Sequence, residues 1–203
     1  MRNVLAIFSS LSQQDGNSAK LTSQYLSELQ KNTDVNLTTR DLYTQEGGHL
    51  TKDEMEAWMT EPASRSERQT ELAAISDALI EEVKAADEIV LGVPMYNFGI
   101  PSALKVWIDR VARAGVTFRY TDNGPEGLLE NKPVTVLAAR GGQYQGTEMD
   151  TQTPYLKHFF NFLGITNVRF VYAEGLAMGE QAASESFSRA NEKIVELTRT
   201  SVD

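Results

Sequence analysis

Five stretches of the chain read as buried strands, and the segments between them repeat their apolar residues every three or four positions. They lie at 3–8 (NVLAIF), 35–39, 87–93 (DEIVLGV), 133–138 (PVTVLA) and 168–172. The clearest are near-continuous apolar runs with no polar alternation, which predicts parallel strands covered on both faces. The spacing predicts helices over 18–29, with Leu21, Tyr25, Leu26 and Leu29 on one face, and over 67–86, with Leu72, Ile75, Leu79, Ile80 and Val83. Further helices are expected through Leu104, Trp107, Ile108 and Val111, over 154–163 and over 184–198. Strand and helix alternate throughout, which implies βαβ units joined by right-handed crossovers. The fold class is therefore α/β: a doubly wound, five-stranded parallel sheet with helices on both faces. Its strand order, 2-1-3-4-5, is assumed from the frequency of that order among such folds.

Two segments break the rhythm. Residues 42–64 (LYTQEGGHLTKDEMEAWMTEPAS) separate the second strand from the long helix and read as a lid or interface insertion. Residues 117–128 (TFRYTDNGPEGL) alternate aromatic and polar positions and then turn through Asp-Asn-Gly-Pro, a hairpin pattern. No repeat or low-complexity linker divides the chain, and its 203 residues suit a single domain over 1–203.

Composition removes several classes of function. The chain carries a net charge of −9, with its acidic residues dispersed. That argues against nucleic acid, whose phosphates require Lys and Arg, and against anionic membranes. An anionic ligand would be held by backbone amides, hydroxyls or a few local cations. There is no cysteine, so disulfides, thiolate catalysis and Cys-ligated metals are excluded. The two histidines, His49 and His158, have no metal-ligand spacing. The apolar run 4–8 is too short for a signal sequence, and nothing approaches the roughly 20 apolar residues of a membrane span. A cytoplasmic protein is expected.

In a doubly wound sheet, ligands bind outside the carboxyl ends of the strands where the strand order reverses. Three loops converge there. The first, 9–18 (SSLSQQDGNS), places hydroxyls, an amide and a glycine at a helix start, where a phosphate can be held without Arg or Lys; the same residues are also ordinary helix caps. Neither a Walker A loop nor a Gly-x-Gly-x-x-Gly pattern is present. The second loop, 94–101 (PMYNFGIP), is held between two prolines and presents Asn97 among Met95, Tyr96 and Phe98; Pro101 would open the next helix at a position that tolerates proline. The third, 139–146 (ARGGQYQG), has paired glycines that allow a close backbone approach to a flat ligand. Together the loops suit an aromatic mononucleotide, although aromatic packing and a flexible turn would account for the last two.

The segment PMYNFGIPSALKVWIDRVARAGVTFRYTDNGPEGL closely resembles the FMN-dependent NADH-azoreductases, flavodoxin-like NAD(P)H:quinone and azo oxidoreductases that work as homodimers. The SS after the first strand, RGG after the fourth, TPYL and YAEG extend the resemblance over nearly the whole chain. It implies FMN as cofactor, with phosphate contacts at Ser10, Gly16, Asn17 and Ser18 and ring contacts at Met95, Tyr96, Asn97, Phe98, Ala139, Arg140, Gly141 and Gly142. Tyr144 stands where some members carry histidine near the flavin carbonyl edge, and its phenol can donate a hydrogen bond. Tyr120 and Phe162 match positions lining the substrate side of the flavin.

The implied activity is ping-pong, two-electron reduction of quinones and azo compounds by NADH, with NADPH also possible and no basic cluster to select a 2′-phosphate. The flavin would carry the chemistry, so no catalytic residue and no metal is expected. The alternative is a flavodoxin-type electron carrier without substrate turnover, which would not need the insertion or the hairpin. A phospho-receiver domain would need acidic residues where the first and third strands end in Phe8-Ser9 and Val93-Pro94.

Overall fold

The computed structural model describes residues 1–44 and 48–200. Strands β1 (Arg2–Phe8), β2 (Val35–Asp41) and β3 (Glu88–Pro94) alternate with helices α1 (Asn17–Asn32), α2 (Lys52–Met59), α3 (Glu67–Ala85) and α4 (Ser102–Val111). A hairpin of β4 (Phe118–Thr121) and β5 (Gly124–Gly127) follows, then β6 (Val134–Ala139), α5 (Gln152–Phe162), β7 (Val168–Ala173) and α6 (Glu180–Thr200). The five-stranded sheet runs β2-β1-β3-β6-β7, all parallel, which is the expected 2-1-3-4-5 order once the hairpin is set aside. Pro101 differs slightly from expectation: it is the N-cap of α4, and the helix begins at Ser102.

Strands β1, β3, β6 and β7 divide their apolar side chains between two cores, whereas β2, expected to be buried, lies at the sheet edge, is largely exposed and adds only Val35. Leu5, Ile7, Ile89, Leu91 and Val136 face α3, α4 and α5, whereas Val4, Ala6, Phe8, Val90 and Leu137 face α1 and α6. Burial on both sides explains the unbroken apolar runs. The register brings the carboxyl ends level: Phe8 pairs with Asp41 and Gly92, Pro94 with Ala139, and Ala139 with Ala173. The loops leaving β1, β3, β6 and β7 therefore open at one edge.

Within the 42–64 insertion, α2 has its own capping box, Thr51 with Glu54. A buried ion pair holds it to α4, with Arg110 Nε 2.8 Å from Glu54 Oε1, while Arg113 covers the Trp58 ring. The hairpin packs against the far end of α5, where a Cβ on Gly127 would stand 2.0 Å from the backbone nitrogen of Gly164. No helix among the described residues is long and apolar enough to cross a membrane.

Candidate functional site

A cleft of about 260 Å3 opens at the carboxyl edge of β1, β3 and β6, between the start of α1 and the loops after β6 and β7. Its first wall is the 9–18 loop. Helices α2 and α3 cap themselves with side chains, but α1 starts at Gly16 with no side-chain cap. The N–H groups of Asn17, Ser18 and Ala19 accordingly lack intrahelical partners and present the positive end of the helix to the cleft. Ser18 Oγ is buried and has no hydrogen-bond partner. A Cβ on Gly16 would lie 2.2 Å from Ser10 Oγ, so glycine lets the chain pass close to that hydroxyl. No acidic residue occupies the first turn of α1. An uncapped helix start and an orphaned hydroxyl fit the phosphate of FMN.

The second wall is the turn after β3. Tyr96 and Gly99 exchange backbone hydrogen bonds, N–H to C=O, at 3.1 and 2.9 Å. The two residues between them, Asn97 (φ 49°) and Phe98 (φ 63°), both take left-handed conformations, as in the tight turn that usually selects Asn and Gly. Phe98 is costly there, by about 1–3 kcal/mol for a non-glycine residue held in this region. The turn is held by its surroundings: Gln152 Nε2 donates to the carbonyls of Pro94 and Gly99, and Thr151 Oγ1 donates to that of Phe98. The result is a Phe98 ring 45% exposed beside the cleft, meeting Tyr144 edge to face at 5.6 Å. Tyr96 Oη accepts the Leu11 N–H at 3.0 Å, tying this wall to the first.

The third wall is the loop after β6. The carbonyls of Arg140, Gly141 and Gly142 accept hydrogen bonds from Leu176, Ala177 and Gly175. The Gly141 and Gly142 N–H groups make none among the described residues and remain for a ligand. The Tyr144 ring lies over Gly142, where an added Cβ would come within 2.6 Å of its hydroxyl.

Ser10, Gly16, Asn17, Ser18, Met95, Tyr96, Ala139, Arg140 and Gly141 line the cleft together. Asn97, Phe98, Gly142 and Tyr144 stand at its rim through the contacts just described. Arg140 meets the cleft through its backbone, because its guanidinium turns away from it. It is fully buried in ion pairs with Asp150 and Glu174 and lies over the Tyr172 ring, leaving only its backbone to the cleft. Tyr120 and Phe162 are not at the cleft of their own chain. Phe162 ends α5, whose eleven residues span about 15 Å from the Gln152 end that touches the turn. Tyr120, 75% exposed, joins Phe162 through Phe118 at that far end.

Ser12 and Pro94 of the first two loops also line the cleft, as do Leu176 and Ala177, which the sequence pattern does not single out. Leu176 and Ala177 carry no local signal, since their part depends on hydrogen bonds to a loop more than thirty residues earlier. Burial and hydrogen bonding act on the neighbouring groups. Asp150 is pushed up by burial, but hydrogen bonds from Arg140 and Thr153 outweigh this and hold it below the usual carboxylate range. Burial raises the phenols of Tyr43 and Tyr172 above the ordinary value.

With this geometry in hand, the relatives fall into one group. The family model described as "Flavodoxin-like fold" matches residues 2–197. The FMN-dependent NADH:quinone oxidoreductase of Alteromonas mediterranea is 60% identical over 199 residues, covering 98% of this chain and all of that protein. That of Alcanivorax borkumensis is 52% identical, covering 97% of this chain and all of that protein. Among solved structures, an FMN-dependent NADH-azoreductase from Bacillus anthracis in complex with FMN superimposes with a TM-score of 0.85 at 26% identity, covering both chains completely.

Proposed function

The chain belongs to the flavodoxin-like family, and from that premise we propose that it is an FMN-dependent NADH:quinone oxidoreductase and azoreductase. When bound, FMN supplies the chemistry, passing two electrons from NADH to a quinone or azo acceptor. The observation that carries this reading is the cleft itself: an uncapped helix start and the orphaned Ser18 hydroxyl at one end, and the free N–H groups of Gly141 and Gly142 at the other.

The residues divide the work. Ser10, Asn17 and Ser18, with the first amides of α1, would hold the phosphate. Met95, Tyr96 and the strained Asn97–Phe98 turn would fix the ring on one side, and the backbone of 139–142 would do so on the other. The amides of Gly141 and Gly142 would stabilise negative charge at the ring edge they face. Tyr144 and Phe98 flank the open side, where donor and acceptor would stack in turn, which gives ping-pong kinetics. No side chain is required as nucleophile or acid–base catalyst. The carrier alternative gives way to turnover, because the relatives named as oxidoreductases match along the whole chain.

We also infer a homodimer. Tyr120 and Phe162 can line the substrate side of a flavin only from a second copy, since each chain keeps them at the end of α5 remote from its own cleft. The working compartment would be the cytoplasm, where NADH is the available donor.

The test is an anaerobic titration of the FMN-loaded protein with NADH, followed by flavin absorbance. Bleaching by one equivalent, reversed by a quinone, is expected. A protein that takes up no FMN, or binds FMN that NADH cannot bleach, would overturn the reading.

A further inference from the structure

Behind the Gly141–Gly142 wall, one buried cation meets two carboxylates. Arg140 is 1% exposed. Its Nη2 donates to Asp150 Oδ1 at 2.8 Å and its Nη1 to Glu174 Oε1 at 3.0 Å. Its other bonds go to Gln152 Oε1 and Thr153 Oγ1. The Asp150 and Glu174 side chains are only 6% and 13% exposed. The Asp150 carboxyl is ionised at neutral pH, because the hydrogen bonds from Arg140 and Thr153 outweigh the effect of burial. Glu174 Oε1 also accepts the N–H groups of Tyr144 at 3.0 Å and Gln145 at 2.9 Å. Its charge therefore lies directly against the loop that forms the ring wall.

Neutralising Arg140 would take one carboxylate. The second leaves the cluster with a surplus negative charge that salt screens weakly; Arg189, which lines an outer pocket with Glu174, is 65% exposed and pairs with Glu185, so it offsets little of it. Among the described residues, Arg140 is the only charged one lining the cleft, and its guanidinium is already taken up by the cluster.

We propose that the surplus charge of the Arg140–Asp150–Glu174 cluster holds the reduction potential of bound FMN low, with Glu174 acting as a positioning and tuning residue that does not touch the cofactor. This rests on the FMN reading above. A flavin held by the Gly141–Gly142 wall would have the Glu174 charge behind that wall, disfavouring added electrons, while the Gly141 and Gly142 amides and the start of α1 would favour them. The cluster sets the balance between the two. A lower potential strengthens the drive toward acceptors that are hard to reduce and weakens the drive for uptake from NADH.

The experiment is the two-electron midpoint of the FMN-loaded protein, read by anaerobic reduction in equilibrium with a reference dye. Glu174→Gln removes the charge but keeps an oxygen that can accept the Tyr144 and Gln145 N–H groups. Asp150→Asn removes the other carboxylate. Each is expected to raise the ratio of reduced to oxidised FMN at a fixed potential about tenfold, a shift of about 30 mV for a two-electron couple. Glu71→Gln, which removes a surface carboxylate on α3, is expected to leave the midpoint unchanged. A midpoint unchanged or lowered in both cluster variants would overturn the proposal, as would loss of FMN from both, which would make the cluster a scaffold only. An unsubstituted protein that binds no FMN would overturn the functional reading itself.

Discussion

Ser18 is fully buried, yet its hydroxyl has no partner, although the first turn of α1 is otherwise a favourable place for serine. A buried hydroxyl left unpaired costs about 1–3 kcal/mol, so the position is explained by a ligand oxygen rather than by folding. Ser18→Ala is expected to weaken FMN binding about tenfold or more, the loss of one hydrogen bond to a charged group. The thermal midpoint of the FMN-free protein should stay level or rise. A flavin-fluorescence titration beside a melting curve would read both, and an unchanged affinity would remove Ser18 from the phosphate site. Strain at Phe98 points the same way: a bulky side chain held at φ 63° is kept for what it faces. Gly16, Asn17 and Ser18 were legible in the sequence because a glycine and polar residues at a helix start form a local pattern. The Arg140 guanidinium was not, because its partners Asp150 and Glu174 come from two other loops.

Elements carry the site as rigid bodies, and α1 is the most exposed to disturbance. Gly92 in β3 lets α1 approach the sheet so closely that an added Cβ would meet Thr22 Oγ1 at 2.6 Å and the Ser18 carbonyl at 3.3 Å. Gly92→Ala should displace the start of α1, lowering stability by about 1–3 kcal/mol, the range for overpacking, and weakening FMN together with it. Denaturant unfolding and FMN titration of one sample would show whether the two losses travel together. Helix α2 depends on the Glu54–Arg110 pair, in which hydrogen bonds from Arg110 and Thr51 outweigh burial and hold Glu54 below its ordinary 4.5. A carboxylate lowered on folding contributes stability that is fully present above its unfolded value and lost as pH falls through the folded one. Stability should therefore fall below about pH 4.5, with Asp150, lowered from 3.8, adding a later loss. Glu54→Gln should cost about 3–5 kcal/mol at neutral pH by leaving Arg110 buried without its charge partner, and should flatten the acid limb of a stability-against-pH curve. The insertion and the hairpin were both visible as breaks in the βα rhythm, but neither their docking sites nor the clamp on α2 is written in local pattern.

At the scale of the whole molecule, one chain holds a cleft open on its substrate side and keeps exposed aromatics elsewhere. Tyr120 is 75% and Met59 84% exposed, each more than a stable monomer has reason to leave in water. Tyr120→Asp and Met59→Asp should loosen the proposed homodimer, and Tyr120→Asp should lower quinone turnover with it. Sedimentation velocity and retained FMN, measured across a dilution series, would show this. A dimer that persists, or a monomer with full turnover, would place the substrate pocket within one chain.

The sequence by itself determined the class of fold, because strands buried on both faces must be apolar throughout and amphipathic helices must repeat every three to four residues. It also determined that Gly16, Asn17 and Ser18 line one end of the cleft, since a helix start and the residues that serve it are neighbours in the chain. Only the tertiary structure decided which way Arg140 points, that Leu176 and Ala177 of the loop after β7 line the cleft, and that Tyr120 and Phe162 stand apart from it. Each of these depends on distances between residues far apart in sequence. Such distances are set by sheet register and helix length, and no local pattern of residue types encodes them.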